Sequence, residues 1–421
     1  MILKFYPPYK FPLIKFSFFL FLIISFFGCS SSKRFNDDDY NYPSSSKINS
    51  PNIGVLLDDS KSDRIILESN VILYSAEKSL AVVNSGNTIS VSANGDEITI
   101  SIAGKNFTSE YFKLGTKEKN SIIFYKGKKF RGQLKILTDG SKIYLVNELL
   151  LEDYLRGVLP LEMPIGKDDE NYEALKAMTV AARTYSLSKM NKNNKTFDVF
   201  MDTRDQVYGG VEVEKEITNK LIDKTAGLIL TYNNNPAQVF YSASCGGHTE
   251  NSKNVFGNYD IPYLEGVQDS DEPYCSIMPG FEWTEEYTTD KLLSFLVRSG
   301  KINNTNYKIN DINIDSRFSS GRVNKIKFEL TSDENDDEDI IISGNNIRSI
   351  IRRSNGGILK STMFDINFNG DTIEINGRGN GHGVGLCQWG TIYLSHEGRD
   401  YKEILSHYFP GTEINPIDYD K

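Results

Sequence analysis

Positive charge is in short supply in this chain. Across 421 residues, 47 Lys and Arg stand against 56 Asp and Glu, a formal net charge of −9. That deficit argues against sequence-independent nucleic-acid binding, which needs clustered basic side chains to displace counterions from phosphates. Cysteine is scarce as well, with four in the whole chain. Beyond residue 28 no apolar run is long enough to cross a bilayer, which takes about 20 residues. There is no internal repeat, and the composition excludes a collagen-like, coiled-coil or largely disordered chain. No register of the glycines gives G-x-G-x-x-G, and no Gly-Lys-Ser/Thr follows them, so the common nucleotide-binding loops are absent. What remains is a globular chain, 39% hydrophobic and 12% aromatic. At roughly 150 residues per domain, it has room for two or three domains.

Residues 1–28 read as a bacterial secretion signal. Lys4, Lys10 and Lys15 form a basic leader, and Phe16 to Phe27 is apolar apart from Ser17 and Ser25. Gly28-Cys29 followed by three serines resembles a lipoprotein cleavage site, which implies that Cys29 becomes a lipid-modified N-terminus. Phe26 and Phe27 depart from that pattern, and ordinary cleavage or an uncleaved anchor are the alternatives. Loss of the three lysines takes the net charge to near −12. The expected location is the cell envelope, lipid-anchored to a bacterial membrane on its extracytoplasmic side.

Composition divides the rest. Residues 29–52 are rich in Ser, Asn, Asp and Tyr and read as a flexible tether. Residues 53–129 read as a β-rich N-terminal domain, in which Ile89 and Val91, then Ile98, Ile100 and Ile102, alternate around Asn94-Gly95 as a hairpin. A second hairpin pairs Leu134 and Ile136 with Ile143 and Leu145 across Asp139-Gly140. In residues 170–190, Leu175, Met178, Ala182 and Tyr185 recur at helical spacing. Pro160 and Pro164 predict that Leu161-Glu162-Met163 lies in a connector rather than a helix. Further strands are expected at 312–314, 323–330, 340–342 and 364–368, and a helix at 290–298. Six acids between Asp333 and Asp339 read as a solvated hairpin tip. Segregated strands and helices give an α+β fold, a β-rich N-terminal region followed by a mixed domain over 130–421.

Four segments carry candidate chemistry. Glu162 stands among Leu159, Leu161 and Met163. Apolar surroundings disfavour its charged form, so it is either a proton donor near neutral pH or a helix cap facing water. Arg183 lies seven residues after Lys176 on an Ala-lined face. It either snorkels to solvent or meets a carboxylate or ligand. Cys245-Gly-Gly-His248 is half of a zinc pattern without a nearby second pair, although Cys275 and Cys387 are available from a distance. The three cysteines allow one bridge with one thiol left over, and Cys245–Cys275 is the favoured disulfide. The run from Gly377 to Gly390 lets the backbone approach something closely and presents His382 and Gln388. It is either a structural crossing or a ligand contact.

Together these segments resemble the sporulation stage II protein D (SpoIID) and amidase-enhancer (LytB) family over about residues 131–412. The matching motifs are Tyr154-Leu-Arg-Gly-Val-Leu-Pro-Leu-Glu162-Met-Pro, Glu173-Ala-Leu-Lys-Ala, Ala181-Ala-Arg-Thr-Tyr185, Cys245-Gly-Gly-His-Thr and Gly381-His-Gly-Val-Gly, in the family's order. The resemblance implies a peptidoglycan lytic transglycosylase. Its catalytic glutamate falls on Glu162, and it cleaves between N-acetylmuramic acid and N-acetylglucosamine to leave 1,6-anhydromuramoyl ends. Glycan strands are then the substrate, with Arg183, His382 and Gln388 expected to line the groove. A cell-wall amidase is a candidate partner, because the competing reading is a non-catalytic amidase enhancer or glycan-binding lipoprotein. Some relatives hold zinc with Cys and His just before the Gln206-Val-Tyr-Gly-Gly element. Here residues 198–205 contain neither residue type, so a zinc site of that kind is absent, no metal is expected to be required, and no cofactor is expected.

Overall fold

Alternating apolar side chains along Ile53 to Leu56, Val71 to Leu73, Leu134 to Ile136 and Leu145 to Leu149 are buried on one sheet face. In this computed structural model, which describes residues 50–59, 64–116, 122–167, 169–190, 196–257 and 260–417, those segments join a seven-stranded sheet. Its strand order is 199–200, 52–58, 143–150, 133–138, 112–115, 71–75 and 78–83. The sheet pairs strands from both sides of residue 129, so the boundary expected at 129/130 falls inside a hydrogen-bonded layer. Both expected hairpins form, 88–94 with 97–102 and 133–138 with 143–150. Gly95 and Gly140 supply positive φ at their turns. The signal segment, Cys29 and the tether up to residue 49 lie outside the described residues. Among the described residues, no helix is long and apolar enough to cross a membrane.

Helix α1, Leu151–Glu162, leaves the end of strand 143–150 and buries Leu151, Tyr154, Leu155, Val158 and Leu159. The expectation of a connector at Glu162 is corrected here. Pro160 sits inside the final turn, where its missing N–H forgoes a single bond, the one to the Arg156 carbonyl, and the helix runs on to Glu162. Met163 is extended (φ −144°, ψ 136°), as the following proline requires. Glu162 is thus the last helical residue.

Helix α2, Tyr172–Met190, is buried continuously from Ala174 to Leu187. A helix covered all round belongs to the middle of a core, and only the C-terminal end of α2 is left to border a cleft. A second core, from Trp283 to Ile375, is built by two three-stranded sheets. One is 307–317, 323–332 and 337–343; the other is 282–288, 372–378 and 364–368. The helix expected at 290–298 is found at Thr289–Arg298. The acids 333–339 are exposed at and beyond a hairpin turn.

Candidate active site

Several stretches of chain converge on a cavity of about 610 Å3. The C-terminus of α1 brings Glu162, and α2 brings Tyr185 and Lys189. The loop 203–207 contributes Asp205 and Val207, while residues 238–243 contribute Phe240 and Tyr241. The glycine-rich segment supplies Asn380, Gly381 and His382, and Gln388 follows at the start of the helix Gln388–His396. Arg348 and Ile358, from the second core's side of the chain, complete the wall.

Local sequence explains why the glycine-rich segment can run there. It lies against 240–244, with Tyr241 and Ser242 paired in parallel to Leu386 and Cys387. Gly385 has a positive φ, and a Cβ on it would run into the Phe240 carbonyl. Gly383 has the same backbone handedness and faces the Arg322 guanidinium so closely that a side chain would collide with it. At both positions only glycine is compatible with the approach.

The Glu162 carboxyl is half-buried and held from two directions. Its Oε1 accepts the Val207 N–H at 2.8 Å, and its Oε2 accepts from Gln388 Nε2 at 3.4 Å. Burial raises its pKa above the ordinary glutamate value, while the Val207 and Gln388 donors pull in the opposite direction. Desolvation is the larger effect, so the group keeps its proton to a higher pH than an exposed carboxyl. Its charge in turn helps to hold the phenols of Tyr154, Tyr185 and Tyr241 above their ordinary range, after burial. A carboxyl with a raised pKa at the wall of a cavity can give a proton to an oxygen bound there and take one back.

Gln388 is where the sequence predicts it, in the same wall as Glu162. His382 is there too, but its ring is not free to bind sugar hydroxyls. Nδ1 accepts the Val384 N–H at 3.0 Å, and a hydrogen bond to the Tyr241 backbone engages the ring as well. Burial, followed by the charges of Arg348 and Arg322, drives its pKa down to about 3. The imidazole is therefore a neutral piece of wall, packed edge-on to Phe256 at 5.3 Å.

Arg183 is not in the cavity. It is wholly buried and forms a bidentate pair with Glu152, Nε to Oε1 and Nη2 to Oε2, each 2.8 Å. Its Nη1 donates to the Leu228 carbonyl. The expected groove face of α2 is closed, and Lys176 is buried too, against Glu173 at 3.0 Å. The partner that an apolar face demanded for Arg183 is supplied from α1 rather than by a glycan. Tyr185, two residues on and about 200° around the helix, reaches the site from α2, as does Lys189. Its hydroxyl donates to Asp205 Oδ1 at 2.7 Å, which Lys189 also meets at 2.6 Å. Sequence reasoning missed Tyr185, Asp205 and Arg348 as site residues. The one available signal was that Tyr185 belongs to the same motif as Arg183.

The cysteines come together more fully than expected. Cys245, Cys275 and Cys387 are free and buried, with Cys245 and Cys275 Sγ 3.7 Å apart and all three sulfurs within 4.8 Å. His248 does not join them, because its Nδ1 is engaged by the Thr249 carbonyl at 2.6 Å.

Comparison with known proteins supports the family resemblance. Residues 139–232, which carry Glu162, match the family described as Stage II sporulation protein (SpoIID). Residues 276–385, which include the second core and Arg348, match a domain of unknown function, DUF8618. An uncharacterised protein of Brachyspira hyodysenteriae is 36% identical over 304 residues, 70% of this chain and 74% of the relative. The stage II sporulation protein D of Bacillus subtilis is 29% identical over 65% of this chain and 76% of its own. The amidase enhancer of Bacillus subtilis is also 29% identical, over 62% of this chain, and the match spans 40% of that longer protein. A relative this similar over most of both chains, and a family match that includes the helix ending at Glu162, lead to one assignment: the chain belongs to the SpoIID family of stage II sporulation D and amidase-enhancer proteins.

Proposed function

We propose that this protein acts on the bacterial cell wall as a peptidoglycan lytic transglycosylase, with Glu162 as its general acid and base. The observation that carries this reading is the Glu162 carboxyl, desolvated at the end of α1 and exposed to a cavity of about 610 Å3. Protonated Glu162 donates to the glycosidic oxygen as the bond to C1 breaks. The resulting carboxylate then accepts the proton of the sugar's 6-hydroxyl as that oxygen attacks C1, closing the 1,6-anhydro ring. Most glycosidases need a second carboxylate to activate water or attack the sugar. Here the substrate's own hydroxyl is the nucleophile, and one carboxyl suffices. The Tyr185, Tyr241 and Phe240 rings suit the apolar faces of sugar rings, and Gln388 and Asn380 suit hydroxyls and acetamides.

Digestion of purified glycan strands, with products read by mass spectrometry, tests the assignment. Anhydromuramoyl ends from the wild type and none from Glu162→Gln support it; reducing ends produced by hydrolysis argue against it. The amidase-enhancer relative favours a second reading, in which the cavity binds glycan and the protein stimulates an amidase. Strand binding without cleavage, together with stimulation of a wall amidase, would favour that reading. We further propose that the chain is held on the extracytoplasmic side of a membrane by a lipid on Cys29. Cys29→Ser then releases it to the soluble envelope fraction, and retention on membranes would refute the lipid.

A further inference from the structure

Away from Glu162, the strongest unassigned cluster is the group of three buried thiols. Cys245 ends the stretch that begins at Tyr241, Cys275 lies in the 3-10 turn Tyr274–Ile277, and Cys387 caps the helix Gln388–His396. They are 30 and 142 residues from Cys245 in sequence. No local pattern brings them together; the tertiary fold does.

The sulfurs are treated as acceptors. Cys387 Sγ receives the Cys245 N–H at 3.2 Å and the Gly390 N–H at 3.4 Å. Cys245 Sγ receives the Gly247 N–H at 3.4 Å. The fully buried Arg322 guanidinium adds a positive charge close by, donating to the Cys245 and His248 carbonyls. Amide donors and a buried cation around sulfur suit thiolates, which are the metal-binding form of cysteine.

Spacing agrees. Zn–S bonds of about 2.3 Å in a tetrahedron put neighbouring sulfurs about 3.8 Å apart, and Cys245 and Cys275 stand at 3.7 Å. Asp269 lies beside them, with Oδ2 3.5 Å from Cys245 Sγ. Its Oδ1 and the Nε2 of His407, 3.8 Å away, are buried without a hydrogen-bond partner. Unsatisfied buried polar atoms are costly, and two of them beside three thiols mark a place built for a charge.

We propose that Cys245, Cys275 and Cys387 bind one zinc ion as thiolates, with the Asp269 carboxylate as the oxygen donor at hand and His407 supporting it. Binding releases the thiol protons and forms Zn–S bonds, with no change of oxidation state. This site differs from the Cys and His zinc known in some relatives, whose position is empty of both residue types here. It is also independent of the reading of Glu162. The ion pins together three segments behind the cavity wall, one of which begins with Gln388.

The test uses the full chain exported to the envelope of a bacterial host and purified without chelator. Elemental analysis is expected to give about one zinc per chain. Denaturation with chelator should then free three titratable thiols among the positions 245, 275 and 387. Cys387→Ser and, as an independent variant, Cys275→Ser should each lose the zinc, and whichever remains folded by circular dichroism decides the point. If both unfold, retention of zinc by the wild type until a thiol-specific mercurial releases it supports the site, and zinc removed by brief dialysis against chelator overturns it. A metal-free protein with a Cys245–Cys275 disulfide in its non-reduced peptide map and one remaining thiol overturns the proposal, as does a metal-free protein with three free thiols.

Discussion

Gln388 donates its side-chain amide to the main-chain oxygen of Glu162 at 2.7 Å, across 226 positions of sequence. The same nitrogen leans towards the carboxylate at 3.4 Å. One side chain therefore caps the end of α1 and, after burial and the Val207 N–H, tempers the proton affinity of the group at its tip. Helix C-termini leave carbonyls without partners, and here one is satisfied by the opposite wall of the cavity.

Gln388→Leu removes a donor that favours the charged form of Glu162. The carboxyl should then keep its proton to still higher pH. The alkaline limb of the kcat/KM profile for strand cleavage is expected to move upward, with a loss of stability of about 1 kcal/mol. An unchanged pH profile would mean that Gln388 serves the helix end alone.

Glu162→Gln should lower strand cleavage by about 10²–10⁴-fold or more while glycan binding persists, since the amide has the carboxyl's shape without its proton. Stability should move the other way. Because the folded-state pKa lies above the ordinary 4.5, the folded protein binds the proton more tightly than the unfolded chain. Ionised Glu162 therefore costs stability as pH rises from that value through its folded pKa. The variant should melt higher than the wild type at neutral pH, and the gap should close below pH 4.5. Melting curves at several pH values measure it.

Arg183→Ala should fail as a protein rather than as a binder. Leaving Glu152 buried without its bidentate partner costs about 3–5 kcal/mol. Denaturant titration should find a comparable loss for Glu152→Ala, and the double variant Glu152→Leu/Arg183→Met should recover part of it. A stable Arg183→Ala with weakened glycan binding would contradict the burial described here.

His382 should stay neutral between pH 8 and 5, because burial and the nearby Arg348 and Arg322 charges hold its pKa at about 3. In an NMR titration its ring resonances should not move over that range. A midpoint near 6 would show an imidazole open to water.

The local readings follow from local causes. Alternation and positive-φ glycines specify the hairpins at 88–102 and 133–150, since a strand's pattern and its turn are neighbours in sequence. The same holds for α2, whose limits at Tyr172 and Met190 match the apolar spacing, and for Glu162, whose apolar neighbours Leu159 and Met163 are already beside it in the chain. Gln388 and His382 were legible as a glycine-presented pair, but not which atoms their neighbours would occupy. Tertiary structure alone decided that Arg183 faces Glu152 and Tyr185 faces the cavity, because helical spacing names a face without naming what covers it. It also decided that strands before and after residue 129 share a sheet, and that three cysteines spread over 142 positions meet. Sequence by itself named candidate groups with chemistry, Glu162 and Gln388 among them. Long-range packing determined which of them lost their freedom to partners inside the protein, because a hydrogen-bond or ion-pair partner is chosen by proximity in space, and chain position does not encode it.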